Sequence, residues 1–99
     1  MKRDLYNRIL QQILDIYKIT KDELYESTKM HDVVNARYLL FYVCKQNGIS
    51  VSRLQILLKE DGFNVTTPTV LRGIQAMEKR ILEDTDYISI IKSINTNQS

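Results

Sequence analysis

The stretch Ser50-Val-Ser-Arg-Leu-Gln-Ile-Leu-Leu-Lys-Glu-Asp-Gly-Phe-Asn-Val-Thr-Thr-Pro-Thr-Val-Leu-Arg-Gly-Ile-Gln-Ala-Met-Glu-Lys-Arg-Ile-Leu82 decides the fold. It holds a short amphipathic helix, a Gly-centred turn and a second helix that opens on a Thr-Pro pair, the order of a helix-turn-helix. Ser50 offers an N-cap, Leu54, Leu57 and Leu58 form one apolar stripe, and Gly62 can take the left-handed conformation that ends a helix. Thr67 can then cap the free N–H groups of the next helix. Pro68 follows where its missing N–H costs nothing.

Outward from this stretch the same punctuation recurs. Leu5, Ile9, Leu10, Ile13, Leu14 and Tyr17 repeat at helical spacing and predict a first long helix from about Lys2 to Lys18. Thr20-Lys-Asp-Glu23 matches a capping box and starts a short helix through Leu24 and Tyr25. Residues 26–31 read as a polar connector, and Asp32 is the next N-cap candidate. The apolar run Val33, Val34, Ala36, Leu39, Leu40, Phe41, Val43 and Cys44 is too broad for a surface helix, so that helix is central. Asn47-Gly48 ends it. In the helix after Thr67, Val70, Ile74, Met77 and Ile81 share one face, while Arg72, Gln75 and Lys79 share the opposite one. Asp84 or Thr85 caps a last helix bearing Tyr87, Ile88, Ile91 and Ile94, and residues 95–99 read as a flexible polar tail.

The expected architecture is therefore all-α: a compact bundle of about six helices in one domain over residues 1–94, with the helix-turn-helix at about 50–83. Ninety-nine residues suit one modest core, and a single proline and three glycines interrupt the helices little. Cys44 has no second cysteine to pair with and sits in an apolar run, which marks it as a small core side chain. The first residues lead into an amphipathic pattern with charges inside it, unlike a signal segment or a membrane span, so no membrane partner and an intracellular location are expected.

Enzyme chemistry finds little footing. His31, the single histidine, has no cysteine or second histidine at ligand spacing, and no phosphate-cradling Gly-rich loop occurs. Asp22, Glu23 and Glu26 read as helix-start carboxylates, stabilised by the helix dipole, rather than an acid/base or metal cluster. No catalytic role, metal or cofactor is expected.

The formal net charge of +2 and pI near 8.7 permit only a local electrostatic footprint. Basic residues outnumber acidic ones in the first helix and in the helix after the turn. There Thr66, Thr67 and Thr69 supply hydroxyls and methyls that suit a major groove, with Arg72 able to read guanine and Gln75 adenine. The expected interface with double-stranded DNA sets Thr66, Thr67, Thr69, Arg72 and Gln75 near bases, and Lys29, Arg37, Arg53 and Lys79 on phosphates.

Over roughly Ile9 to Ile94 the chain also resembles the C-terminal DNA-binding domain (domain IV) of the bacterial replication initiator DnaA. The segment Ile9-Leu-Gln-Gln-Ile-Leu-Asp-Ile-Tyr-Lys-Ile-Thr-Lys-Asp-Glu-Leu24 is similar to that family's opening helix and the start of its short second helix. Asn35-Ala-Arg-Tyr-Leu-Leu-Phe-Tyr-Val43 resembles its central helix, with Arg37 where the family commonly has Arg. Pro68-Thr-Val-Leu-Arg-Gly-Ile-Gln-Ala-Met-Glu-Lys-Arg-Ile81 lies over its signature T-T-V-x-x-A-x-x-K-I, with Thr69 and Val70 matching directly. The resemblance implies a Trp-repressor-like helical fold and a stand-alone DNA-binding protein of replication or transcription control. A phage or mobile-element protein, in the cytoplasm of a bacterial or phage-infected cell, fits its size.

In that family a basic loop enters the minor groove and an Asp-His-Thr-Thr tetrad reads the major groove. Here the connector is Ser27-Thr-Lys-Met-His-Asp32, and the tetrad is Thr66-Thr-Pro-Thr69. Each good base pairing contributes about 1–3 kcal/mol of discrimination, so these departures imply a target other than the initiator box. The alternative is a non-catalytic protein-interaction or phage assembly module on the same scaffold with a decayed DNA face. Tyr6, Tyr25, Tyr38 and Tyr42 are its candidate contact residues, although their helical positions also suit a core.

Overall fold

Six helices follow one another in a computed structural model that describes residues 2–26 and 30–96. They are α1 (Lys2–Tyr17), α2 (Lys21–Tyr25), α3 (His31–Gln46), α4 (Val51–Glu60), α5 (Thr67–Glu83) and α6 (Asp86–Thr96). Among the described residues there is no strand, and no helix is long and apolar enough to cross a membrane. The all-α bundle expected from periodicity is the architecture found.

α3 is the central helix, as its broad apolar surface requires. Val33, Ala36, Leu39, Leu40, Phe41, Val43 and Cys44 are buried on it, and it packs most extensively against α5 and α1. Tyr6, Ile9, Leu10, Ile13 and Leu14 of α1, Leu54, Leu57 and Leu58 of α4, and Val70, Ile74 and Met77 of α5 complete one core with Ile91 and Ile94 of α6. α5 approaches α3 closely at Gly73. A Cβ built there would lie 2.8 Å from both Phe41 Cδ2 and Tyr38 Cδ1, so only a hydrogen lets α5 sit this near α3. The radius of gyration, 12.3 Å, is that of one globule of this length.

The helix ends follow the punctuation, with instructive exceptions. Thr20 and Glu23 form the reciprocal capping box, at 3.1 and 2.9 Å. Ser50 accepts from Arg53 N at 3.2 Å. Gly48 and Gly62 take φ of +89° and +88°, and the residue after each bonds back across the turn, Ile49 N to Cys44 O and Phe63 N to Leu58 O.

α1, by contrast, ends without glycine. Lys18 itself adopts φ +55°, and Ile19 N donates to Leu14 O at 3.1 Å. Asp32 is not a cap: Met30 holds the N-cap position of α3 and gives no side-chain cap bond, while Asp32 lies in the first turn. The cap of α5 is Thr66, one residue before the expected Thr67, and Pro68 falls in the first turn. At α6 the Asp84 carboxylate accepts from Asp86 N at 3.0 Å. The expected loose tail does not begin at Asn95. Its side chain accepts from Asn47 at 3.0 Å and donates to Gln46 at 3.3 Å, which ties α6 to the end of α3. Residues 97–99 lie outside the described residues.

Candidate nucleic-acid interface

What positions α5 is the connector of residues 61–66, longer than the turn of about three or four residues common in helix-turn-helix units. Length normally brings freedom, and here it is removed by packing. Phe63 stacks on Tyr25 with ring centroids 4.9 Å apart, and the Arg37 guanidinium lies 5.4 Å from the Phe63 centroid. Asp61 accepts from Arg3 at 3.1 Å and from the Tyr25 hydroxyl at 3.0 Å, with Lys21 Nζ 3.9 Å away. Because Tyr25 gives its proton to Asp61, the buried Tyr6 hydroxyl donates to Tyr25, at 2.7 Å. Burial, first, and the neighbouring phenol then hold Tyr6 protonated well above the ordinary tyrosine range.

The start of α5 is locked by a second device. Gln55 of α4 donates from Nε2 to Val65 O at 2.9 Å and accepts at Oε1 from the Thr67 hydroxyl at 2.6 Å. One amide therefore joins α4, the end of the connector and the first turn of α5. Thr66 Oγ1 accepts from Thr69 N at 3.3 Å and shares a hydrogen bond of 2.9 Å with the Thr69 hydroxyl. Thr67 spends its only hydroxyl proton on Gln55 and keeps acceptor capacity, so towards a base edge it can accept but not donate.

Thr66, Thr67, Thr69, Arg72, Gln75 and Lys79 are all exposed, while Val70, Gly73, Ile74 and Met77 are buried behind them. The two faces of α5 thus fall where the 3.6-residue period puts them. Arg72, Gln75 and Lys79 make no ion pair or side-chain hydrogen bond among the described residues. The ion pairs there are confined to Arg3 and Lys21 with Glu60 and Asp61. The next cation, Arg80, is committed elsewhere: it donates to Asn35 Oδ1 and stacks 5.2 Å from the Tyr38 centroid.

The expected phosphate contacts divide. Lys79 stands on the exposed face of α5. Lys29 falls outside the described residues. Arg37 is half-buried and turned inward, donating from Nε to Leu24 O at 2.6 Å and from Nη2 to Glu26 O, and its burial lowers its pKa. Those carbonyls belong to the end and exit of α2, which offers them no further helical turn. Arg37 is thus a positioning residue for the connector and not a free phosphate ligand. Arg53 is exposed but faces away from α5: it lines a cleft with Lys2, Arg3, Leu5 and Arg8 of α1 and Leu57 and Glu60 of α4. At about 100° per residue it lies roughly 200° around α4 from Gln55, on the other flank.

Sequence reasoning missed Gln55, Asp61 and the inward role of Arg37. Only the last had a local signal, since a five-residue helix with no Gly or Asn at its end leaves carbonyls that need a donor from elsewhere. Other candidates resolve as structural. Burial pushes the Cys44 thiol up and keeps it protonated, and Glu23 is occupied in its capping box. Tyr6 is buried, while Tyr25, Tyr38 and Tyr42 are half-buried against the core.

The chain matches no family model, no curated protein and no solved structure.

Proposed function

We propose that the protein binds double-stranded DNA, laying the N-terminal half of α5 in the major groove as the second helix of a helix-turn-helix. The observation that carries this reading is the exposed polar face of Arg72, Gln75 and Lys79, unpaired among the described residues, which opens on a threonine tip that Gln55 and the capped turn hold in one geometry. Preorganisation of the tip matters because binding is then left only the long exposed side chains to order. Thr66, Thr67 and Thr69 meet base edges, Arg72 and Gln75 supply the bidentate donors and acceptors, and Lys79 takes a phosphate. Lys59, one turn beyond Gln55 on the same flank of α4, and Lys29 in the connector add phosphate contacts. Such a module fits a role in replication or transcription control, as the DnaA-like sequence features suggest.

The test is fluorescence anisotropy on a random-sequence duplex, followed by selection of bound sequences. With about three phosphates neutralised, affinity should fall roughly 40-fold between about 50 and 200 mM salt. Arg72→Ala should cost about 1–3 kcal/mol on the selected sequence and relax preference at one position, whereas Lys79→Ala should weaken all sequences alike and reduce the salt slope by about 1. No duplex binding at the lower salt concentration would remove the proposal.

A protein-contact module on the same scaffold is the second reading. It is favoured by Leu82, which is 86% exposed at the far end of α5, where no base or phosphate contact is required.

A further inference from the structure

Two surfaces stand apart from the threonine tip of α5, and their chemistries are opposite. The first is the cleft between α1 and α4, about 610 Å³, whose apolar floor is the half-buried Leu5 and the edge of Leu57, 3% exposed. Around it stand Lys2, Arg3, Arg8 and Arg53, against the carboxylate of Glu60. Glu60 and Asp61 are engaged by Arg3, at 2.7 and 3.1 Å, and Lys2 donates to Gly48 O at 2.8 Å. Arg8 and Arg53 are exposed and have no such partners among the described residues, so the cleft presents their two guanidinium groups beside an apolar floor.

The second surface is the junction of α5 and α6, Leu82-Glu-Asp-Thr-Asp86. All five residues are exposed, and Leu82 is the most exposed of the large apolar side chains described. This exposed apolar side chain, followed within four residues by the carboxylates of Glu83, Asp84 and Asp86, carries the charge that an apolar floor beside Arg8 and Arg53 lacks.

We infer that the α1–α4 cleft receives the Leu82–Asp86 knob of a second copy of this chain, with Leu82 on Leu5 and Leu57 and the carboxylates on Arg8 and Arg53. Charge complementarity selects this occupant. A nucleic-acid backbone would satisfy the guanidinium groups but bring nothing apolar for the floor, and it would leave Leu82 in water. The knob satisfies both. Since each copy carries one cleft and one knob on different surfaces, the contact is head-to-tail, and it builds a ring or an open chain rather than a two-fold dimer. Arg53 lies on the flank of α4 away from Gln55, so this contact leaves the threonine tip of α5 uncovered and does not depend on the DNA-binding proposal.

Sedimentation velocity on the full chain tests it, with concentration raised to about 1 mM, where weak contacts of this kind become populated. The weight-average mass should rise with concentration, and about 0.5 M salt should reverse the rise by screening. Arg8→Glu with Arg53→Glu, and separately Glu83→Lys with Asp84→Lys, should each stay monomeric. An equimolar mixture of the two double variants should associate again, because each offers the charge the other now needs. Leu82→Ser, at a position too exposed to disturb folding, should weaken association about tenfold or more. A wild-type chain that remains monomeric throughout overturns the inference, as does a mixture that fails to associate. So does a cleft variant that keeps its self-association and loses duplex affinity, which would assign the cleft to nucleic acid.

Discussion

Replacing Gly73 by alanine perturbs a close approach of α5 to α3. The new methyl would meet Phe41 Cδ2 and Tyr38 Cδ1 at 2.8 Å each, against an ordinary contact of about 3.5–4.0 Å, so both rings must retreat by about 0.7 Å or more. Neither can do so freely. Phe41 is 1% exposed, and Tyr38 is held under the Arg80 guanidinium. Overpacking of this kind costs about 1–3 kcal/mol, while exchanging Gly for Ala within a helix returns about 1 kcal/mol of propensity. The net expectation is a loss of about 1 kcal/mol, or roughly 4–8 °C in Tm for a chain of this length. Thermal and urea unfolding followed by circular dichroism measure it, and Gly73→Leu should be far worse than Gly73→Ala. The same substitution should disturb duplex binding beyond its effect on stability, because α5 carries the proposed reading face and would be levered away from α3. A Gly73→Ala protein with unchanged or raised Tm would show that the α3–α5 interface is looser than the ring contacts require.

Lys18→Gly should stabilise the fold by up to about 1 kcal/mol, since the left-handed φ of +55° carries a penalty for any side chain; a lower urea midpoint would contradict the α1 exit described above. Arg37→Ala should cost about 2 kcal/mol or more by removing charge-assisted bonds to Leu24 O and Glu26 O, and Arg37→Lys should not restore it because one ammonium cannot reproduce the fork. Unchanged unfolding together with weakened duplex binding would instead return Arg37 to a phosphate. Alkaline pH should unfold the protein: burial raises the pKa of Tyr6, Tyr17 and Tyr25 above the ordinary value near 10, Tyr17 to about 12. Their contribution is then complete below pH 10 and lost as pH climbs through about 12 and beyond. Ionisation of all six tyrosines near pH 10 with the helical signal intact would refute this.

Periodicity and end signals made most of the fold legible because they act within a few residues. Thr20 with Glu23, Ser50, Gly48 and Gly62 each satisfy backbone groups of their own turn, so their meaning is local and survives without knowing the tertiary structure. The misplaced ends are those where tertiary packing supplied what a local cap would have given. α3 begins at His31 behind Met30 with no side-chain cap bond, and its buried surface against α1 and α5 keeps it helical regardless. α1 turns sharply at Lys18, where the buried Leu14 and half-buried Ile19 fix the chain on either side. Gly73 is the clearest case. In sequence it is only a weak point inside a helix, and its reason, two aromatic rings on another helix, lies some thirty residues away.

The exposed half of the candidate site was legible for the same reason. Arg72, Gln75 and Lys79 oppose Val70, Ile74 and Met77 by helical period alone. Its supporting half was not, because nothing in spacing pairs Gln55 with Thr67 or Asp61 with Tyr25 and Arg3; the course of the connector creates those pairs. This has a consequence for how the site evolves. Arg72 and Gln75 are exposed and make no side-chain hydrogen bond or ion pair among the described residues, so on the proposed reading either can change and alter sequence preference without unfolding the protein. Gln55, Asp61 and Arg37 each hold two or more segments together, so substitutions there should move the whole of α5 and, if the protein binds duplex as proposed, change affinity for every sequence at once. Beyond its first turn, α5 thus keeps its exposed polar residues separate from those that position it. Thr66 and Thr67 belong to both groups, since the Thr66 cap and the Thr67–Gln55 hydrogen bond hold the start of α5 while the same residues form its exposed tip, so substitutions there should disturb the placement of the helix as well as what the tip offers a partner.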